Sequence, residues 1–198
     1  MISDHVSRQA SRERYAPGYE FHIGRIDMVA NTGTYLDTPF HRFPDGHDLT
    51  GIDLDRVAGV PGVVVDGGPE GAIGPDSLDG LDDADLAGRA VLFRTGWDRR
   101  WGSDGYGDPR HPYLATATAE RLAGAGAALA GIDSVNIDGT RTGERPVHTA
   151  LLAAGVLVVE HLTGLDRLDG RPFSFFAVPP AIAGMGTFPV RALAVVGG

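Results

Sequence analysis

Short apolar runs, broken by glycine and proline, dominate the chain, and most have the length of strands. Over residues 19–27 polar and apolar positions roughly alternate around Phe21, Ile23 and Ile26, the two-residue period of a half-buried strand. Residues 60–66 carry the β-branched run Val63-Val64-Val65 and end at Gly67-Gly68-Pro69, which predicts a buried strand. Residues 90–95 repeat the pattern, with Gly96 as the stop. Residues 131–133, 156–160, 173–178 and 190–196 read as further strands. The best helix is predicted over 116–129. Thr116 or Thr118 caps it, Ala119, Leu122, Ala123 and Ala127 fall at helical spacing, and Gly131 is the C-cap. A shorter helix is expected over 149–154. Strands mixed with few helices indicate an α/β fold with a mixed sheet.

With 198 residues and 42% hydrophobic composition, the chain is expected to form one domain, residues 1–198, with a real core. Residues 1–17 show no clear period and read as a mobile or subunit-clasping arm. The net charge of −9 comes from 26 acidic against 17 basic side chains and leaves no basic stripe for nucleic acid. The acids of 76–85 read as a solvated segment. No apolar run approaches the ~18 residues of a membrane span, and the N-terminus lacks the apolar region of a signal peptide. With no cysteines, disulfides and thiolate metal sites are excluded, and cytoplasmic residence is the default expectation.

The candidate chemistry lies in two distant stretches. The first is Asn31-Thr32-Gly33-Thr34-Tyr35-Leu36-Asp37-Thr38-Pro39-Phe40-His41. Pro39 separates Asp37 from His41 and disfavours helix before it, so both groups sit on a rigid loop or irregular turn. Gly33 allows positive φ or a close backbone approach. A fixed carboxylate and imidazole suit catalysis, although Asp37 could equally satisfy backbone N–H groups in an ordinary turn. The second stretch holds His148 and Glu160. Glu160 ends the apolar run Val156-Leu157-Val158-Val159, so once buried it must be paired, ligated or protonated. His161 would point to the opposite face if that strand continued, as a rim residue or a competing candidate. Phe40, Trp97, Trp101 and Tyr106 could line a pocket for an aromatic or cyclic substrate, or pack as core or interface aromatics. Gly67-Gly68 and the Gly124/Gly126 pair lack the strand–loop–helix setting of a phosphate loop.

The first stretch resembles the H-x-G-T-H-x-D-x-P-x-H signature of the cyclase family, which includes kynurenine formamidase and isatin hydrolase. Asn31 and Tyr35 stand at two of its histidine positions. The likeness extends to Phe93-Arg94-Thr95-Gly96-Trp97, to Gly131-Ile132-Asp133 with Asp138, to the His148–Glu160 spacing, and to Pro189-Val190-Arg191-Ala192, where Phe188 replaces a serine.

The resemblance implies a swivelling β/β/α fold, a homodimer or homotetramer, and hydrolysis of a C–N or C–O bond in a small carbonyl compound. It also implies that Asp37, His148 and Glu160 are metal ligands and that His41 is the base. Asn31 and Tyr35 replace two imidazoles by an amide and a phenol of pKa ~10, both poor ligands for a borderline metal. One divalent ion, Zn²⁺ or Mn²⁺, at Asp37, His148 and Glu160 is then one expectation. A metal-free site is the other, with Asn31 and Tyr35 as hydrogen-bond donors to a carbonyl oxygen. A metal-free cyclase, dehydratase or lyase and a non-catalytic binding protein are the competing functions.

Overall fold

Sixteen strands and helices make up the computed structural model, which describes residues 1–197. In chain order they are β1 (Ile2–Val6), α1 (Arg8–Arg12), β2 (Ile23–Ile26), β3 (Tyr35–Asp37), β4 (Ala58–Asp66) and β5 (Ala72–Ile73). Then come α2 (Asp83–Leu86), β6 (Ala90–Arg94), β7 (Tyr113–Leu114), α3 (Thr116–Ala125) and β8 (Leu129–Ile132). The chain closes with α4 (Pro146–Ala153), β9 (Leu157–Glu160), β10 (Phe173–Phe176), β11 (Thr187–Pro189) and β12 (Leu193–Val196). Eight strands form one mixed sheet in the order β11-β3-β9-β8-β6-β4-β10-β12. Its centre, β4-β6-β8-β9, is parallel, and antiparallel strands close both sides. The expected α/β class with a mixed sheet is what forms.

Side-chain alternation assigns the two faces. Val91, Phe93, Ala130, Ile132 and Val158 point toward α3 and α4, where they meet Ala119, Leu122, Val147 and Leu151. Ala90, Leu92, Leu129, Leu157 and Val159 point the other way and pack with Leu36, Phe173 and Phe175. Both faces of the parallel centre are covered, which is why its strands are continuous apolar runs. The same alternation places the chemistry. Leu36 belongs to the second face, so its neighbours Tyr35 and Asp37 face the helices, and Glu160 does so two residues beyond Val158.

The boundaries differ from expectation at several points. Residues 2–6 and 8–12, expected to be irregular, form β1 and α1, and β1 pairs antiparallel with β2. The strand expected over 19–27 shrinks to Ile23–Ile26 and is exposed rather than half-buried. Helix α3 stops at Ala125 because Gly126 takes a left-handed φ of +74° and caps it. Gly131, the expected cap, lies inside β8, where a Cβ would stand 2.7 Å from atoms of Leu92 and Leu162. Helix α4 begins at Pro146, three residues before the expected start. Its N-terminal amides are capped by Asp138, remote in sequence, so no local cap marks the start.

Candidate active site

Antiparallel pairing of β3 with β9 sets Tyr35 directly opposite Glu160, with Asp37 two residues along on the same face. Asp37, expected on a rigid loop or irregular turn, therefore ends a strand that is paired on both sides and also carries Tyr35. After Thr38 a one-turn 3-10 helix, Pro39–His41, turns the chain so that His41 faces back over Asp37. That turn packs so closely on Gly186 that a Cβ there would lie 2.3 Å from the His41 nitrogen. Thr38 anchors it, donating from its backbone N–H to the Gly186 carbonyl at 2.7 Å. Gly33, with φ of +70°, turns the chain into β3.

Helix α4 supplies His148, whose Nε2 lies 3.6 Å from Asp37 Oδ2 and 3.6 Å from Glu160 Oε1. Asp37, His148 and Glu160 therefore converge around one nitrogen, and the turn adds His41, with Nδ1 3.6 Å from Asp37 Oδ1. Asp37, His41 and His148 each offer a donor atom within 4.8 Å of the others. Asp37 is completely buried and, among the described residues, neither carboxylate oxygen has a hydrogen-bond partner. A bare buried carboxylate costs several kcal/mol, so this position requires a positive charge. The 3.6 Å gaps are too long for hydrogen bonds but match tetrahedral ligands, which at ~2.1 Å from an ion stand roughly 3.4 Å apart. The donor set fits a divalent ion.

Glu160 is engaged differently. The Tyr35 hydroxyl donates to its Oε2, and the Ile137 backbone N–H donates to Oε1 at 2.6 Å. Burial pushes Glu160 up to about 7, with His148, Tyr35 and Ile137 opposing the rise and Asp37 adding to it. Burial, then the charges of Glu160 and Asp37, hold the Tyr35 phenol well above its ordinary pKa, while a side-chain contact from Asn31 works the other way. Tyr35 is thus a neutral donor at physiological pH and a poor metal ligand. Burial also opposes charge on His148, but Asp138, Asp37 and Glu160 outweigh it and push the imidazole up to about 10.

Asp138 is the residue whose role sequence reasoning missed. Its carboxylate accepts from Val147 N–H at 2.8 Å and His148 N–H at 3.0 Å, and lies 2.6 Å from His148 Nδ1. It caps α4 and fixes the His148 ring with the same two oxygens. Its family likeness was the only signal, ten positions before His148 and silent about contact.

Strand β9 ends at Glu160, so His161 does not continue the alternation. It takes a positive φ of 55°, unusual for a residue with a side chain. Its Nδ1 lies 2.7 Å from the Tyr106 hydroxyl, and its ring sits among Tyr35, Trp101 and Tyr106 with centroids 5.4–5.7 Å away. Of the predicted pocket aromatics, Trp101 and Tyr106 join this cluster. Trp97 is buried, donating to the Tyr106 carbonyl at 2.8 Å, and Phe40 is half-buried in the turn. A pocket of about 120 Å³ opens onto the site, lined by Asn31, Tyr35, His41, His148, Glu160 and Asn136, with Arg42 and Arg145 completing its wall.

The Cyclase family model matches residues 4–139. The chain belongs to the cyclase family. It is 31% identical over 168 residues to the kynurenine formamidase of Erythrobacter litoralis, spanning 84% of this chain and 73% of that one. It is 30% identical over 171 residues to the enzyme of the same name from Salinibacter ruber, spanning 86% and 78%. The fold of this cyclase-family member matches isatin hydrolase A from Ralstonia solanacearum with a TM-score of 0.78 at 24% identity, over 98% of this chain and 80% of that one. A predicted metal-dependent hydrolase from Bacillus stearothermophilus superposes with a TM-score of 0.67 at 25% identity, over 98% and 97%.

Proposed function

We propose that the chain is a hydrolase that cleaves a C–N or C–O bond of a small aromatic or cyclic carbonyl compound, an amide, formamide, lactone or ester, by attack of an activated water. The carrying observation is the Asp37 carboxylate, sealed from solvent without a hydrogen bond and flanked by two imidazole nitrogens at 3.6 Å. The names of the relatives, kynurenine formamidases, support amide cleavage.

Asp37, His41 and His148 would hold one divalent ion such as Zn²⁺ or Mn²⁺, which when bound supplies Lewis-acid activation of the water. This moves His41 from base to third ligand and leaves Glu160 free for proton transfer. Glu160, near neutrality in pKa, is suited to that work. As water adds to the carbonyl carbon, Tyr35 accepts its proton and passes the phenolic proton to Glu160, so the phenol never has to ionise. Asn31 donates its amide N–H to the carbonyl oxygen. On collapse the proton returns along the same path to the departing nitrogen or oxygen. Asp138 keeps a proton on His148 Nδ1 and presents Nε2 as the lone-pair donor.

A second reading, a metal-free cyclase, dehydratase or lyase, is favoured by one observation. The His148 imidazolium could itself supply the charge that Asp37 needs. A panel of aryl formamides, cyclic amides, lactones and esters distinguishes the readings. Turnover that a chelator abolishes and added metal restores supports the proposal. Full activity after chelation makes the hydrolysis metal-free, and no turnover of any class overturns hydrolysis and favours the cyclase, dehydratase or lyase reading.

A homodimer or homotetramer is supported by the N-terminal ribbon. Ile2, Ile23 and Ile26 are exposed on a two-stranded sheet too small to be stable alone, and Met1 and Met28 are exposed just beyond its strands.

A further inference from the structure

The wall of the site pocket carries two guanidinium groups that the chemistry above does not use. Arg42 follows the His41 turn, and Arg145 precedes α4 at its N-cap. Both line the same pocket as Tyr35, His148 and Glu160. Among the described residues no carboxylate lies within 4.0 Å of either. Among the described residues five of the other fifteen arginines have such a partner. Arg94 meets Asp66 at 2.7 Å and Arg110 meets Asp108 at 2.6 Å.

The Arg42 side chain is tied through Thr149 to the backbone of Arg145. Arg42 Nε donates to the Thr149 hydroxyl at 3.1 Å, and that hydroxyl donates to the Arg145 carbonyl at 2.7 Å. The Arg42 guanidinium also lies 5.3 Å from the Phe43 ring centroid, which stiffens it further. Arg145, half-buried, donates from one terminal nitrogen to the carbonyls of Thr142 at 3.0 Å and Glu144 at 2.7 Å. Its remaining N–H groups have no protein acceptor among the described residues. Two arginines on the wall of a pocket with Glu160 on its floor, and the buried Asp37 outside its lining, have a clear electrostatic sense. The floor alone would repel an anion, and the wall reverses that locally. Planar guanidinium donors match a carboxylate in bidentate fashion.

We propose that Arg42 and Arg145 form a clamp for a carboxylate that the substrate carries away from the bond being cut. The inference rests on the hydrolase reading and narrows its substrate class to carboxylate-bearing aromatic or cyclic carbonyl compounds.

The test uses a formamidobenzoate and its carboxamide counterpart, which differ in charge but little in shape. Wild type should hydrolyse the carboxylate with the higher kcat/KM, roughly tenfold to a hundredfold, the range of one charge-assisted hydrogen-bond pair. Arg42→Gln and Arg145→Gln should each lower that ratio toward one. Arg167→Gln, an equal change in net charge at an exposed position outside this pocket, should leave the ratio intact. Binding of benzoate and benzamide to the same four proteins, measured by calorimetry, gives a readout that needs no turnover. A wild-type ratio near one, or a ratio that either clamp variant leaves unchanged, overturns the clamp. If neither formamide is cleaved but benzoate binding is lost in both clamp variants, the clamp stands and the hydrolase reading fails.

Discussion

Asp138→Asn tests how the fold prepares its histidine. The side chain keeps its volume but loses its charge and one of its two acceptors. In the native protein three groups point at this carboxylate: Val147 N–H at 2.8 Å, His148 N–H at 3.0 Å and His148 Nδ1 at 2.6 Å. An asparagine carbonyl in the Oδ2 place keeps both His148 bonds, now as neutral ones, while its NH₂ faces the Val147 N–H. Hydrogen bonds to a charged group contribute about 1.5–3 kcal/mol each. Asp138 is buried and ionised, since burial's tendency to raise its pKa is outweighed by the His148 ring and the two amides. Losing one such bond outright and the charge on the other two, within one network where contributions are not additive, should destabilise the protein by about 3 kcal/mol. The ring responds as well. Without the carboxylate charge behind Nδ1, the imidazole becomes a less basic and less firmly oriented donor toward Asp37 and Glu160. Affinity for a divalent ion should fall by about 10–100-fold. Urea unfolding followed by circular dichroism reads the first effect, and competition with a chromogenic chelator reads the second. A variant with wild-type stability would refute the capping argument. One that is destabilised but binds metal with wild-type affinity would refute the orienting role.

Three further outcomes follow from the same geometry. Tyr35→Phe should lower kcat by about 10²–10³, as loss of a preorganised donor does. Because the Tyr35 hydroxyl helps hold Glu160 down, its removal should also move the acid limb of the pH–rate profile to higher pH, and a lower rate with an unmoved limb would separate Tyr35 from Glu160. Burial lowers His161 to about 4 from an unfolded value of 6.5, so between these values the unfolded chain binds more protons. Stability should therefore decline as pH falls from 6.5 toward 4, by less in His161→Asn, and equal slopes for the two proteins in urea titrations would contradict the assignment. Light scattering coupled to size exclusion should give at least a dimer mass at tens of micromolar, and a monomer mass would count against a partner covering the N-terminal ribbon.

How much of this was legible in the chain follows from how local each signal is. Val63-Val64-Val65 and Val156–Val159 announced central strands because both sheet faces are apolar there, and the run needs no partner to be read. The Asp37, His148 and Glu160 set was legible through family spacing, and the structure brings the three together around His148 Nε2. What stayed hidden depends on contacts between distant segments. Tyr35 lies on a strand only because β9 and β11 flank it. Asp138 caps a helix it does not belong to, so α4 appeared to start late. Gly131 imitates a helix stop, but Gly126 ends the helix first and leaves Gly131 for a crowded strand. The ribbon of residues 1–26 lacks the burial pattern that makes a strand readable, since nearly every side chain in it faces solvent.

The most direct test of the central claim is the metal content of the purified protein, by elemental analysis, beside that of Asp37→Asn. Asp37, whose oxygens are buried and without hydrogen bonds, should account for about one divalent ion per wild-type chain, and the variant should retain almost none. Wild type without metal that acquires none from Zn²⁺ or Mn²⁺ and hydrolyses its substrate unaltered by chelator would contradict the account.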